Sequence, residues 1–407
     1  MKAVVALLVP VSIVLAGCGG QEPQEPNAPA ADPASARRVV RPDRFPADRP
    51  YSFGVWAGDT LYLSGQTDRD PVSGTTSDGI AAQTRQAMNN IGEVLKAAEL
   101  DHSNLVKCHV YLRSMDDYTG MNQVYGSFFS GRVPARTTVE VAGLPHDSNL
   151  EISCIGFRDR TRISVVTPPA GSLPAPLGPY SAAVWAGDTL YLSGMGGQFP
   201  KDRRLPEGLP DQVAQTLVNI RTTLEAADLR LADVVSSSVY LTVKEQAGDL
   251  EGAYAAAFQE SSERPRGLIF LPRLPGGIKT EITFVAARGG ERQMIGVADR
   301  DGRGSRGSRV GQTLYTRAEA APEAGAGFDE QFREVLRRLM KTVEDAGMRG
   351  SDVVSIQVYL SELSDLDSMN RISGEVFAGA LPARTTVLVQ SSDGTRVSAA
   401  LVAAPRS

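Results

Sequence analysis

Eleven residues, Val55 to Gly65 (VWAGDTLYLSG), recur unchanged as Val184 to Gly194, 129 positions later. A looser copy, Val310-Gly311-Gln312-Thr313-Leu314-Tyr315-Thr316-Arg317-Ala318, follows about 124 further on. Two more blocks keep the same order. Cys108 to Leu112 (CHVYL) is matched by Ser237 to Leu241 (SSVYL) and Ile356 to Leu360 (IQVYL). Pro134 to Val139 (PARTTV) returns verbatim as Pro382 to Val387, with Arg264 to Ile269 (RPRGLI) between them. Three blocks in one order, three times, require three copies of one folding unit.

Within each copy the pattern reads hairpin, helix, strand, helix and two strands. The Gly-Asp-Thr turn sits between alternating apolar runs, as a β-hairpin requires. Ala87, Ile91, Val94, Leu95 and Ala98 lie at helical spacing. So do Leu217, Ile220, Leu224 and Ala227, and then Phe332, Val335, Leu336, Leu339 and Val343. A second, shorter helix is expected over residues 118–129, 250–258 and 366–377. The unit is α+β, about 115 residues long, a mixed sheet with two helices on one face. The repeats are placed at 46–160, 161–290 and 291–407, the last degenerate. The bare sheet face carries apolar Val139, Val141, Ile152 and Cys154. Burying it against neighbours closes the three units into an intramolecular pseudo-trimer with clefts at the junctions.

The N-terminus reads as an address. Lys2 is followed by a largely apolar run, Ala3 to Leu15, shorter than the roughly 20 apolar residues of a membrane span. It ends in Leu15-Ala16-Gly17-Cys18, which resembles the lipobox of bacterial lipoproteins. That resemblance implies removal of the signal 1–17 and lipidation of Cys18; an ordinary secretory signal is the alternative. Gly19 leans toward outer-membrane sorting in a Gram-negative host. Residues 18–45, rich in Pro and Ala, are expected to be a disordered tether. The expected place is the cell envelope, facing the periplasm, with the membrane reached through the anchor alone.

Charge and composition narrow the partners. The chain has 42 Lys and Arg against 47 Asp and Glu, a net charge of −5, which argues against a phosphate-backbone binder. Three histidines without paired spacing predict no metal site. Three cysteines make no disulfide scaffold. Cys108 and Cys154 read as buried strand residues, with pairing after export as the alternative. The Gly/Arg/Ser-rich stretch 299–309 reads as a solvated loop.

The chain resembles the RidA (YjgF) family, homotrimers of chorismate-mutase-like fold. The resemblance rests on Gly178-Pro179-Tyr180, Ser64-Gly65-Gln66, Pro134 to Val141 (PARTTVEV) and Leu144-Pro145 followed by Leu150-Glu151-Ile152, and covers about 45–407. It implies hydrolysis of reactive 2-enamine and 2-imino acids to 2-keto acids and ammonia, without a cofactor. By the same resemblance Arg136, Arg266 and Arg384 hold the substrate carboxylate, and Glu151 and Glu281 act on the water. Ser64-Gly65, Ser193-Gly194, Tyr51, Tyr180, Thr138, Asn122 and Asn370 complete the clefts.

The chemistry is coherent on its own terms. A planar guanidinium fixes a carboxylate through two parallel charge-assisted hydrogen bonds. A carboxylate beside the attacking water contributes roughly 10²–10⁴-fold. Glu151 follows Arg136 by 15 residues and Glu281 follows Arg266 by the same interval, which suits a strand, a turn and a neighbouring return strand. Ser64 lacks the partners of a nucleophilic triad. Tyr62, Tyr111 and their copies read as packing groups.

Repeat three keeps Arg384 but has Ser398 in the acid position, Arg317 in the serine position and no tyrosine before its hairpin. It is read as structural, closing the ring and lending Asn370 to a cleft. Repeat two carries Leu268 for Thr138 and Glu251 for Asn122, with Arg264 and Arg273 adding charge. Repeat one is the best site, and at most two sites are expected to work. An exported protein does not meet the imines of cytoplasmic pyridoxal-phosphate enzymes, so the alternative function is a carboxylate-binding module without turnover. A ribonuclease fits poorly, for want of a catalytic histidine and a basic face. The molecule is expected to be a monomeric pseudo-trimer.

Overall fold

Each repeated Gly-X-Thr turn closes a hairpin, because its glycine (Gly58, Gly187, Gly311) takes the left-handed φ of 56°, 59° and 53° that opens a two-residue connection. The computed structural model describes Met1 and residues 39–258, 266–296, 304–391 and 394–405. The signal, Cys18, most of the tether, Arg264 and residues 299–303 lie outside the described residues.

Repeat one comprises β1 (Val39–Val40), β2 (Gly54–Ala57), β3 (Thr60–Leu63), β4 (Gln66–Thr67), α1 (Ile80–Ala97), β5 (Leu105–Leu112), α2 (Tyr118–Gly126), β6 (Ala135–Glu140) and β7 (Leu150–Phe157). Repeat two comprises β8 (Ile163–Val166), β9 (Ala183–Ala186), β10 (Thr189–Leu192), α3 (Leu209–Glu225), β11 (Val234–Leu241), α4 (Ala247–Phe258), β12 (Arg266–Phe270) and β13 (Thr280–Ala287). Repeat three comprises β14 (Arg292–Ile295), β15 (Gly307–Val310), β16 (Thr313–Thr316), β17 (Glu319–Ala320), α5 (Phe328–Asp345), β18 (Val353–Leu360), α6 (Leu366–Val376), β19 (Ala383–Leu388) and β20 (Val397–Ala403).

The three sheets share one order. The first runs β1-β2-β3-β7-β5-β6, the second β8-β9-β10-β13-β11-β12 and the third β14-β15-β16-β20-β18-β19. The pairs β5/β6, β11/β12 and β18/β19 are parallel, each joined through its short helix, and the other pairs are antiparallel. The mixed sheets and paired helices are those the periodicity predicts. Ala87, Ile91, Val94 and Leu95 of α1 are fully buried against the first sheet, and α3 and α5 bury matching stripes. Each buried Ile, Val or Leu of these stripes contributes about 1.5–3 kcal/mol by leaving water.

The opposite sheet faces meet around a pseudo-threefold axis. Tyr111, Tyr240 and Tyr359 cluster there with Val139, Ile269 and Val387. Small apolar clusters seal the junctions: Val106 and Ala135 with Val184 and Tyr191, Val354 and Ala383 with Val55 and Tyr62, and Val235 and Ala287 with Tyr315. Both tyrosine sets are buried packing groups.

Four details differ from the sequence reading. Ile152 and Cys154, expected on the bare face with Val139 and Val141, are buried on the other face against α1. Residues 39–45 belong to the first unit rather than to a tether, since β1 pairs with β2 and Val40 and Phe45 are buried. Strands β1, β8 and β14 each cover an otherwise bare hairpin edge. The stretch taken as a loop at 299–309 enters β15 at Gly307. Cys108 and Cys154 are buried and also bonded to each other, since the β5/β7 register sets them directly opposite, 4.1 Å apart at Cα.

That crosslink spans 46 residues and restricts the unfolded chain by roughly 4 kcal/mol in the loop-entropy account. The Cys108→Ala/Cys154→Ala variant is expected to keep its circular-dichroism spectrum and to lose about 2–4 kcal/mol in urea denaturation.

Candidate active site

Strands β6, β12 and β19 end their sheets, so each has an outer edge of backbone groups that must find partners. The next repeat supplies them. At the junction of repeats one and two, Ser181 pairs with Ala135 as an isolated bridge. The Arg136 N–H donates to Ser193 Oγ at 2.8 Å, and the Gly194 N–H donates to the Arg136 carbonyl at 3.0 Å. The Thr138 N–H donates to the Glu281 carboxyl. The junction of repeats three and one repeats this arrangement. Ser52 bridges Ala383, the Arg384 N–H donates to Ser64 Oγ at 2.8 Å, Gly65 donates to the Arg384 carbonyl at 3.0 Å, and Thr386 donates to Glu151.

Each arginine therefore faces the acid of a different repeat: Arg136 meets Glu281, and Arg384 meets Glu151. This corrects the expectation that Arg136 works with Glu151 and Arg266 with Glu281. Strand β5 lies between β6 and β7, so the 15-residue interval does not reach a neighbouring strand. In that register Arg136 sits beside Cys108 and Glu151 beside Tyr111, which project to opposite faces.

Both guanidiniums are buried, Arg136 at 2% and Arg384 at 9% exposure, and neither forms an ion pair among the described residues. Arg136 sits among the rings of Tyr118, Tyr125 and Tyr180, at 5.0 to 5.7 Å, with a 3.3 Å hydrogen bond to the Tyr118 hydroxyl. Arg384 lies 5.1 Å from the Tyr51 ring, and its Nη1 is buried without a partner. Burial pulls the Arg384 pKa down to about 10. Aromatic faces stabilise a cation but do not neutralise it, so each group is receptive to an anion.

The facing carboxyls are buried too. Desolvation pushes Glu151 and Glu281 up to about 8, against the opposing pull of the threonine N–H donors and neighbouring cations. Each carboxyl lies across a glycine. A Cβ on Gly65 would stand 1.6 Å from Glu151 Oε1, and one on Gly194 1.7 Å from Glu281 Oε1. These glycines are the space the acid occupies.

The other expected site residues take distinct positions. Ser64 and Ser193 are clamps: besides accepting from the arginine N–H, their hydroxyls donate to the carbonyls of Ser52 and Ser181. They hold the arginine strand, and Ser193 also lines its cleft. Thr138 lines its cleft with a buried hydroxyl that has no partner. Asn122 and Asn370 each keep a buried Oδ1 without a partner, and Asn370 lines the cleft. Tyr118 escaped the sequence reading, although it precedes Asn122 by one helical turn and so shares its face.

The third junction is closed to this chemistry. Glu251, in the asparagine position, forms an ion pair with Arg266, whose guanidinium also lies 4.2 Å from the Tyr254 ring. Arg317, in the serine position, pairs with Glu319 at 2.9 Å, and both are buried. Ser398 supplies no acid. Arg273 points to repeat one, pairing with Asp116 and Glu140. Repeat three, read as structural, thus contributes Arg384 to a complete cleft, and Arg266 belongs to an incomplete one. No group of three or more metal-ligating side chains gathers among the described residues.

Fold and clefts together define a fused pseudo-trimer of chorismate-mutase-like units. The family model for endoribonuclease L-PSP matches residues 42–157, 171–288 and 308–400. The chain belongs to this family, the RidA (YjgF) family. Over 124 residues, 30% of this chain, it is 41% identical to 2-iminobutanoate/2-iminopropanoate deaminase of Mus musculus, 92% of which is covered. The human protein of that name is 40% identical over the same length, with 90% covered. Among solved structures, the yjgF gene product of E. coli is 28% identical with a TM-score of 0.29, covering 31% of this chain and 99% of its own.

Raised carboxyl pKa values leave a mark on stability. Unfolding returns both acids to about 4.5, so between about pH 5 and 7 the folded chain binds more protons than the unfolded one. Their contribution to stability therefore falls as pH rises through that range. Above 7, Lys107 acts in the opposite sense, because burial pulls its pKa down to about 7. Urea denaturation at pH 5 and 7 is expected to show a smaller decline for Glu151→Gln/Glu281→Gln than for the unaltered protein.

Proposed function

We propose that the chain hydrolyses 2-imino acids, and the 2-enamines in equilibrium with them, to 2-keto acids and ammonia at two clefts. The observation that carries this reading is the buried guanidinium without a counter-ion, Arg136 or Arg384, facing a buried carboxyl from another repeat. The relatives named as imine deaminases support the reaction class.

The substrate carboxylate lies against the guanidinium and supplies its missing anion. The C=N carbon then stands toward the glutamate, with water between. The substrate reacts as the protonated imine: water attacks its carbon while the ionised glutamate takes the water's proton, giving a neutral carbinolamine. The same carboxyl returns the proton to nitrogen, the C–N bond breaks, and the hydroxyl proton is lost as the ketone forms. A group with pKa about 8 accepts and donates near neutral pH, which this two-way transfer needs. Arg136 and Arg384 stay charged throughout and hold the substrate in place.

The proposal extends to an exported, lipid-anchored protein. Its supports are the Leu15-Ala16-Gly17-Cys18 motif and a buried disulfide of the kind that persists in oxidising compartments. The imines there would come from oxidation of amino acids outside the cytoplasm.

An amino-acid oxidase that makes the imine in the presence of semicarbazide provides the assay. The protein is expected to cut semicarbazone formation. Arg136→Ala and Arg384→Ala each retain part of that activity, their combination loses it, and Arg266→Ala behaves as the unaltered protein. Carboxylate binding without any loss of semicarbazone overturns the hydrolase reading.

A further inference from the structure

The repeats provide an internal comparison between the two complete clefts. The cleft between repeats one and two encloses about 510 Å³ and is walled by residues 168–177, with Leu173, Leu177, Met195 and Ile278 facing in. The cleft between repeats three and one encloses about 200 Å³. Its lining carries basic or imidazole side chains at three positions whose matches in repeat two are uncharged. Arg49 stands where the larger cleft has Gly178, Arg69 where it has Gln198, and His146 where it has Gly276.

These three groups all line the small cleft. Burial lowers the His146 pKa, and the charges of Arg69 and Arg49 lower it further. Neither Arg49 nor Arg69 makes a side-chain hydrogen bond or ion pair among the described residues. The lining acids are Glu151, whose carboxyl burial pushes up to about 8, and the exposed Asp367. The small cleft thus presents Arg384 for one carboxylate and two more guanidiniums beyond it. The larger cleft has one further guanidinium, Arg203, among mostly apolar walls.

We propose that Arg49 and Arg69 form a subsite for a second carboxylate, so that the small cleft takes imines of dicarboxylic amino acids. The larger cleft takes 2-imino acids with bulky apolar side chains. The division of labour rests on the hydrolase reading above. A dicarboxylate in the larger cleft would find only Arg203 among proline and leucine side chains, and an apolar side chain in the small cleft would lie against two guanidiniums and leave them without an anion. Each carboxylate–guanidinium contact is worth roughly 10–100-fold in selectivity.

The test uses imines generated by glutamate oxidase and leucine oxidase, with semicarbazide as the trap. Arg136→Ala, which keeps only the small cleft, is expected to favour the glutamate-derived imine by roughly 10–100-fold in kcat/KM. Arg384→Ala is expected to show the reverse preference. Adding Arg49→Gly and Arg69→Gln to Arg136→Ala raises KM for the glutamate-derived imine. In the unaltered protein, which needs no variant to fold, the two imines do not compete. Mutual competition, or equal selectivity in the two single-cleft variants, overturns the division and leaves the hydrolase reading standing. No turnover of either imine by the unaltered protein overturns both.

Discussion

The outer edge of the last strand in each sheet is the constraint on which the molecule is built. Its N–H and C=O groups cannot be buried unpaired, and at the two complete junctions the neighbouring repeat satisfies them with a serine hydroxyl, a glycine N–H and a glutamate carboxyl. The hydrogen bonds that close the ring also bring an arginine from one repeat to an acid from another. Assembly and site are one set of contacts. Lys107 adds to the same seam: its ammonium donates to Thr137, to the Leu192 carbonyl and to Thr283, joining repeats one and two.

Burial then sets the electrostatics. Taking a guanidinium and a carboxyl out of water disfavours both charges, and the carboxyl yields first because its proton is available near neutral pH. The arginine is left charged and receptive. At the third junction a single change, glutamate for asparagine on the short helix, neutralises Arg266 from within the chain. Loss of the serine clamp at Arg317 and of the acid at Ser398 accompanies it. That junction keeps its structural role, with Tyr315 packed between Val235 and Ala287.

Much of this was legible in the sequence, because repetition and helical spacing are one-dimensional signals. The block Val55 to Gly65 and its copies define the units, and the stripe from Ala87 to Leu95 defines the face of α1. The pairing of Arg136 with Glu281 was not legible. A 15-residue interval fits a return strand, and only the order β7-β5-β6 shows that another strand intervenes. The Cys108–Cys154 bond depends on the β5/β7 register, which no local pattern fixes. The meaning of Glu251 likewise emerges only once its helix is seen beside Arg266.

The central claim is that each working cleft joins two repeats. Two double variants, assayed for imine hydrolysis beside Arg136→Ala alone, test it directly. Arg136→Ala/Glu281→Gln damages one cleft twice and is expected to retain the activity of Arg136→Ala. Arg136→Ala/Glu151→Gln damages both clefts, although its two substitutions share a repeat, and is expected to retain none. The opposite order of activities would show that arginine and acid act within a repeat, and would contradict this account.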